Sequence, residues 1–224
     1  MTCLLYYITD RTAFAPDEPT RRRRLLEKIR EATIAGVNYI QLREKDLTTR
    51  DLQSLAREAV TAIREALPTA HHPLSTALLI NSRTDVALAA GADGVHLRGD
   101  DVSAEEVRVI WRKCGAGSGR QLSSEAPQIA VSCHSPKDVT QAAVNGATVA
   151  VFAPVFGKKE VSPAGLTALR EACKANIPLL ALGGVTLANA ESCLAAGAAG
   201  IAAIRLFQEN DVASVVKQLQ SSSR

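Results

Sequence analysis

Apolar residues gather in short runs that alternate, along the whole chain, with longer segments in which they recur at helical spacing. Runs of this kind predict strands and the segments between them predict helices. The order is strand 4–10 then helix 20–35, 39–44 then 49–67, 77–82 then 84–90, and 94–97 then 103–114. It continues with 128–134 then 136–145, 148–156 then 165–175, 178–184 then 187–196, and 200–207 then 211–222. The strands are short, apolar and rich in β-branched residues, as in a parallel sheet covered on both faces. A weak repeat supports the count: AGVNYI at 35–40, AGADGV at 90–95, NGATVA at 145–150 and AGAAGI at 196–201. Each places a glycine suited to a left-handed helix end just before an even-numbered strand.

This rhythm predicts an α/β fold, a (β/α)8 TIM barrel forming one domain over 1–224. The alternative is a doubly wound open sheet, but eight successive units without a long linker or a second core favour closure. Segments 68–76 and 115–127, rich in Pro, Gly and Ser, are expected as loops on the face opposite the chemistry.

Length agrees, since 224 residues is ordinary for one such barrel, roughly 200 to 250. A formal net charge of +3 speaks against a nucleic-acid partner. The run Arg21–Arg24 leads into a helical pattern without aromatic interleaving and is expected as a solvated face. Five scattered cysteines without C-x-x-C spacing support neither a disulfide framework nor structural zinc, and suit a reducing cytoplasm. No apolar run approaches the ~20 residues of a membrane span.

Barrels of this class carry their chemistry at the C-terminal ends of the strands. Those ends offer Thr9-Asp10, then Gln41, Arg43 and Lys45, then Asn81-Ser82-Arg83 and the carboxylate pair Asp100-Asp101. Around the rest of the ring come Ser132 and His134, Lys158-Lys159, Gly183-Gly184 and Ile204-Arg205. Alternation puts Gln41, Arg43 and Lys45 on one side of the second strand, with Ile40, Leu42 and Glu44 on the other. Several cations, a carboxylate pair able to share Mg²⁺ with phosphate, and glycine-rich backbone suit a phosphorylated substrate. The competing account of Gln41, Arg43 and Lys45 is an interior salt-bridge layer with Asp10 and Asp101; for His134 it is a satisfied buried histidine. His71-His72 are expected to be solvated, Cys133 to pack toward the helices, and Asp85 to support the start of its helix.

The motifs YYITDR, QLREKD, INSRTDVALAAGADGVHL, VSCHS and LALGGVTLANAESCLAAGAAGIAAI together resemble the thiamine phosphate synthase and thiazole tautomerase superfamily, from about Tyr7 to Leu206. The synthase branch implies a transferase that joins hydroxymethylpyrimidine diphosphate to a thiazole phosphate and releases pyrophosphate, with Mg²⁺. By that resemblance Gln41, Arg43 and Lys45, with Asn81, match the diphosphate and pyrimidine site, and Asp101 a metal ligand, with Asp100 beside it as a second carboxylate for the ion. Ser132 matches a pyrophosphate contact, Lys158 or Lys159 a basic loop residue, and Gly183, Gly184, Ile204 and Arg205 the thiazole phosphate site. The chain departs from the synthase pattern at three points. Ser82 stands for a metal-binding Asp, Phe156-Gly157-Lys158-Lys159 for a Pro-Thr-x-Thr-Lys loop, and Arg205 for a small serine. Two alternatives remain open: a metal-independent tautomerase with His134 as proton shuttle, and a non-catalytic thiazole-phosphate-binding relative.

Overall fold

Each apolar run pairs in parallel with its chain neighbours, and the first also pairs with the last, so the sheet closes in sequence order into an eight-stranded barrel. The computed structural model of the chain describes residues 2–66, 76–115, 126–157 and 162–221. The strands are β1 Leu4–Ile8, β2 Tyr39–Leu42, β3 Ala77–Asn81, β4 Gly94–Leu97, β5 Gln128–Cys133, β6 Val149–Phe152, β7 Leu179–Ala181 and β8 Gly200–Ala203. The helices are α1 Glu18–Ile34, α2 Thr49–Ala66, α3 Thr84–Ala90, α4 Ala104–Gly115, α5 Pro136–Val144, α6 Gly165–Ala172, α7 Leu187–Ala195, α8 Arg205–Gln208 and α9 Val212–Ser221.

Alternation along the strands builds two cores. Leu5, Tyr7, Ile40, Leu78, Ile80, Ala150 and Phe152 face outward and pack under the helices. Tyr6, Ile8, Leu79, Ala130, Val149, Val151, Leu180 and Ala202 fill the barrel. Cys133 lies in the outer core, where burial pushes its thiol up to about 12. Trp111 of α4 is 2% exposed, and its indole N–H has no hydrogen-bond partner among the described residues.

The sequence repeat has a structural counterpart at the base of the barrel. Its four glycines, Gly36, Gly91, Gly146 and Gly197, all adopt positive φ and turn the chain from helix to strand. Two residues on, the amides of Asn38, Asp93 and Thr148 donate to Leu5, Leu78 and Ile129. The same three side chains accept from the amides of those residues at 2.8 Å each. Ala199 keeps only the backbone half of the pattern, donating to Leu179. At the next position Gly94 and Gly200 let neighbouring strands approach: a Cβ on Gly94 would lie 1.8 Å from the Gln128 carbonyl oxygen, and on Gly200 1.9 Å from that of Leu4.

Several strands stop earlier than their apolar runs. β1 ends at Ile8 and β2 at Leu42, while β6 ends at Phe152, two residues before Pro154, which has no N–H for a ladder. The largest correction falls on 200–207: pairing with β1 ends at Ala203, and the chain turns into the short helix α8. Gln208 makes that turn possible. Its side-chain oxygen accepts from the Tyr7 hydroxyl (3.0 Å) and the Asp10 amide (3.1 Å), and its amide group donates to the Asp10 carbonyl at 2.6 Å. The basic run lies on α1, where Arg22 pairs with Glu58 and Arg23 with Glu27. No described helix is long and apolar enough to cross a membrane. The expected loops at 68–76 and 115–127 lie largely outside the described residues, as do His71 and His72.

Candidate active site

Parallel strands in register bring Gln41, Asn81, His96 and Ser132 to neighbouring positions inside the barrel, just below its C-terminal mouth. Gln41, 2% exposed, donates from Nε2 to Asn81 Oδ1 at 3.2 Å. His96, 3% exposed, joins Tyr6 and Ser132: Nδ1 lies 2.7 Å from the Tyr6 hydroxyl and Nε2 2.8 Å from Ser132 Oγ. Burial, with the nearby charge of Arg43, pushes the imidazole down to about 3, so it is neutral at ordinary pH.

Above this layer the mouth is cationic. Arg43 is half-buried and Lys45 exposed, and among the described residues no carboxylate pairs with either. The ammonium of Lys45 is held below its usual range, first by Arg43, then by partial burial and Arg98. Like charges this close disfavour one another, and an incoming anion relieves that repulsion. The proposed salt-bridge layer is not what forms, because the acids it needs are engaged elsewhere. Asp10 accepts from the Thr12 hydroxyl, and Asp101 pairs with Arg98.

Glu44 is the acid that closes the floor beside this strand. It is 5% exposed and accepts from the Thr9 hydroxyl, the Arg11 amide (3.0 Å) and Arg11 Nη1 (3.2 Å). Arg11 is itself buried and also grips Asp46 and Glu18. Thr9 Oγ1 accepts from the Arg43 amide at 3.0 Å, so this buried network fixes the backbone that carries the cations.

The acidic side of the mouth rests on Asp101. Partial burial works against its charge, but hydrogen bonds from the Arg98 amide, the Ser82 hydroxyl and the Arg98 guanidinium prevail and hold the carboxyl below its usual range. Ser82 sits at φ 57°, a left-handed conformation that turns the end of β3 toward this carboxylate. Asp100 is 73% exposed and pairs with Arg98 at 3.4 Å. Asp85 pairs with Arg83 in the first turn of α3. No group of three or more His, Cys, Asp or Glu among the described residues forms a metal cage. One carboxylate beside one hydroxyl nevertheless fits Mg²⁺ shared with substrate phosphates, since this ion commonly takes one or two carboxylates and completes its shell with phosphate and water.

His134 is exposed rather than buried. The Asp138 carboxylate accepts from the amides of His134 (2.9 Å) and Ser135 (2.8 Å) in the capping box of α5, and His134 Nδ1 contacts the Ala153 carbonyl at 2.7 Å. A carbonyl only accepts, so Nδ1 carries a proton there, and in the neutral tautomer the lone pair is left to Nε2.

Across the mouth, Gly183, Gly184, Ile204, Arg205 and Asp10 line a cleft of about 780 Å³. Gly183 and Gly184 have φ 97° and 67°, and a Cβ on either would press within 2.8 Å of Pro154 or Phe156. Asn189 at the start of α7 holds this turn, donating to the Gly184 carbonyl and accepting from the Thr186 amide. No described residue accepts from the Gly183 or Gly184 amide, which leaves donors for an anion. Lys158 and Lys159 lie outside the described residues.

Thus the fold gathers Gln41, Arg43, Lys45, Asn81, Asp101, Ser132 and His134 around one mouth, with the glycine cleft opposite. Tyr6, His96, Arg98, Arg11 and Glu44 are partners that the sequence did not single out. His96 left one signal, a polar residue at an inward position of the otherwise apolar strand GVHL.

The model of a family described as thiamine monophosphate synthase matches residues 5–207, nearly the whole barrel. The chain belongs to the thiamine monophosphate synthase family. A thiamine-phosphate synthase of Roseiflexus castenholzii is 38% identical over 206 residues, covering 90% of this chain and 79% of that protein. One of Methanoculleus marisnigri is 36% identical over 222 residues, covering 96% and 93%. The solved thiamine phosphate pyrophosphorylase of Pyrococcus furiosus superposes with a TM-score of 0.75 at 28% identity, covering 98% of this chain and 95% of that one. The family match spans both sides of the mouth, from QLREKD to the glycine turn.

Proposed function

We propose that the chain is a thiamine phosphate synthase, transferring the pyrimidinylmethyl group of hydroxymethylpyrimidine diphosphate to the nitrogen of a thiazole phosphate with release of pyrophosphate. The observation that carries this reading is the pair of cations, Arg43 and Lys45, left without carboxylate partners among the described residues beside Asp101. Family membership supports it, and the glycine cleft across the mouth supplies a second phosphate seat at Gly183, Gly184, Ile204 and Arg205.

In the transfer, the bond between the methylene carbon and the diphosphate oxygen breaks and its electron pair leaves with pyrophosphate. The thiazole nitrogen then donates its pair to the methylene carbon. No proton has to move for the bond to form, so the protein's work is alignment and stabilisation of the leaving charge. Arg43 and Lys45 face that charge, Ser132 donates to it, and Gln41 with Asn81 orients the pyrimidine. Mg²⁺, held by Asp101 with Ser82 and Asp100 nearby, would neutralise part of the diphosphate charge.

The exposed Nε2 of His134 favours a second activity, thiazole tautomerisation, in which that lone pair moves a proton. One assay separates the two. Purified protein given both substrates and Mg²⁺ is expected to form thiamine phosphate, with Arg43→Ala lowering the rate about 10²- to 10³-fold and His134→Ala only modestly. Isomerisation of the thiazole without coupling, abolished by His134→Ala, would overturn the synthase in favour of the tautomerase.

A further inference from the structure

The contact between Ser132 and His96 has the separation of an activated nucleophile and its base, 2.8 Å from Oγ to Nε2. The hydrogens around it run the other way. Tyr6 is 0% exposed, its ring lies almost parallel to His96 with centroids 5.7 Å apart, and its hydroxyl meets Nδ1 at 2.7 Å. No other described group accepts from that hydroxyl. Were Nδ1 protonated, it would donate to the phenol oxygen, and the phenol proton would be stranded in the barrel core, where Tyr6 is fully buried and meets no other described acceptor. A stranded buried donor is costly, whereas a phenol donating to a bare Nδ1 is satisfied. Nδ1 is therefore the acceptor and Nε2 carries the single imidazole proton, which it donates to Ser132 Oγ. Ser132 is half-buried at the end of β5, and with its oxygen already accepting, its own proton is free for an acceptor in the mouth.

We propose that His96 is a positioning residue that orients the Ser132 hydroxyl as a hydrogen-bond donor to the leaving diphosphate, Tyr6, His96 and Ser132 forming a one-way donor chain through the barrel. The proposal rests on the diphosphate reading of the mouth, and it extends that reading from residues that touch substrate to two that do not. It also excludes Ser132 as a nucleophile, because His96 has no lone pair facing it.

The tautomer is read first, without ligand or variant, from the nitrogen-15 resonances of the imidazoles in the intact protein. A protonated Nε2 and a bare Nδ1 on His96 are expected; a protonated Nδ1 overturns the proposal. Pyrophosphate binding with Mg²⁺ is then measured by calorimetry for wild type, Ser132→Ala, His96→Leu, His96→Gln and the Ser132→Ala/His96→Leu double variant. Loss of about ten- to a hundred-fold in affinity is expected for Ser132→Ala and His96→Leu alike, as for one hydrogen bond to a charged acceptor. The double variant should bind no more weakly than Ser132→Ala, because His96 acts through that hydroxyl. His96→Gln, whose amide can donate toward Ser132 and accept from Tyr6, should recover most of the loss. Additive losses, wild-type affinity in His96→Leu, or a His96→Gln as weak as His96→Leu each overturn it. A wild type that binds no pyrophosphate sinks the diphosphate reading instead, and the tautomer of His96 still stands or falls on its spectrum.

Discussion

His96 gives the pH dependence of stability a specific shape. Its folded-state value is pushed down to about 3 by burial and by Arg43, while an unfolded histidine titrates near 6.5. Between those values the unfolded chain binds a proton that the folded chain does not. Stability is therefore complete above about pH 6.5 and falls as pH drops, by about 1.4 kcal/mol per pH unit. Urea unfolding between pH 6.5 and 5 should show this slope, and His96→Gln should flatten it; an unchanged slope in the variant would assign it to another group. At the mouth, Lys45→Ala should weaken pyrophosphate binding while shifting unfolding by no more than ~0.5 kcal/mol, since its exposed ammonium has no carboxylate partner among the described residues. Equal binding in wild type and variant, by calorimetry, would remove Lys45 from the site. Residues of this second kind were legible in sequence, because a strand end in a barrel predicts where they lie. Arg11, Glu44 and His96 were not, because their roles depend on which side chains meet across strands that are distant in sequence.

At the scale of elements, the base of the barrel is sealed by one turn used again and again. A left-handed glycine ends the helix, and two residues later a polar side chain accepts from the start of the preceding strand. Asn38→Ala should leave the Leu5 amide without that acceptor inside the fold and cost about 1–3 kcal/mol, read as a lower urea midpoint at unchanged slope; Asn38→Asp should keep most of it. A negligible change in Asn38→Ala would mean that the turn geometry alone holds the seal. The glycines of these turns were visible as a repeat, and their partners became visible only with the strand register. The same limit explains α8: an apolar run such as GIAAIRLF looks like one strand until its pairing with β1 stops at Ala203, and Gln208 ties the chain that follows, a turn of helix, to Tyr7 and Asp10.

The whole barrel depends on close approach between strands at Gly94 and Gly200. Gly94→Ala would drive a methyl into the Gln128 carbonyl, 1.8 Å away, whereas at Gly91 an added methyl meets nothing within 4 Å and carries only the cost of a left-handed backbone. That cost is about 1–2 kcal/mol. Thermal unfolding should therefore place Gly94→Ala well below Gly91→Ala, and the reverse order would show that the ring opens at that seam without penalty. Eight alternating units made closure predictable, yet the sequence did not distinguish these two glycines from the rest, because the contact they permit is with another strand's backbone. Trp111 turns the same architecture into an optical instrument. It is the chain's single tryptophan and lies buried under the helical wall, its N–H without a partner among the described residues. Its native emission should therefore be blue-shifted, move to longer wavelength in one step as water reaches the indole, and report the ring's integrity without an attached dye.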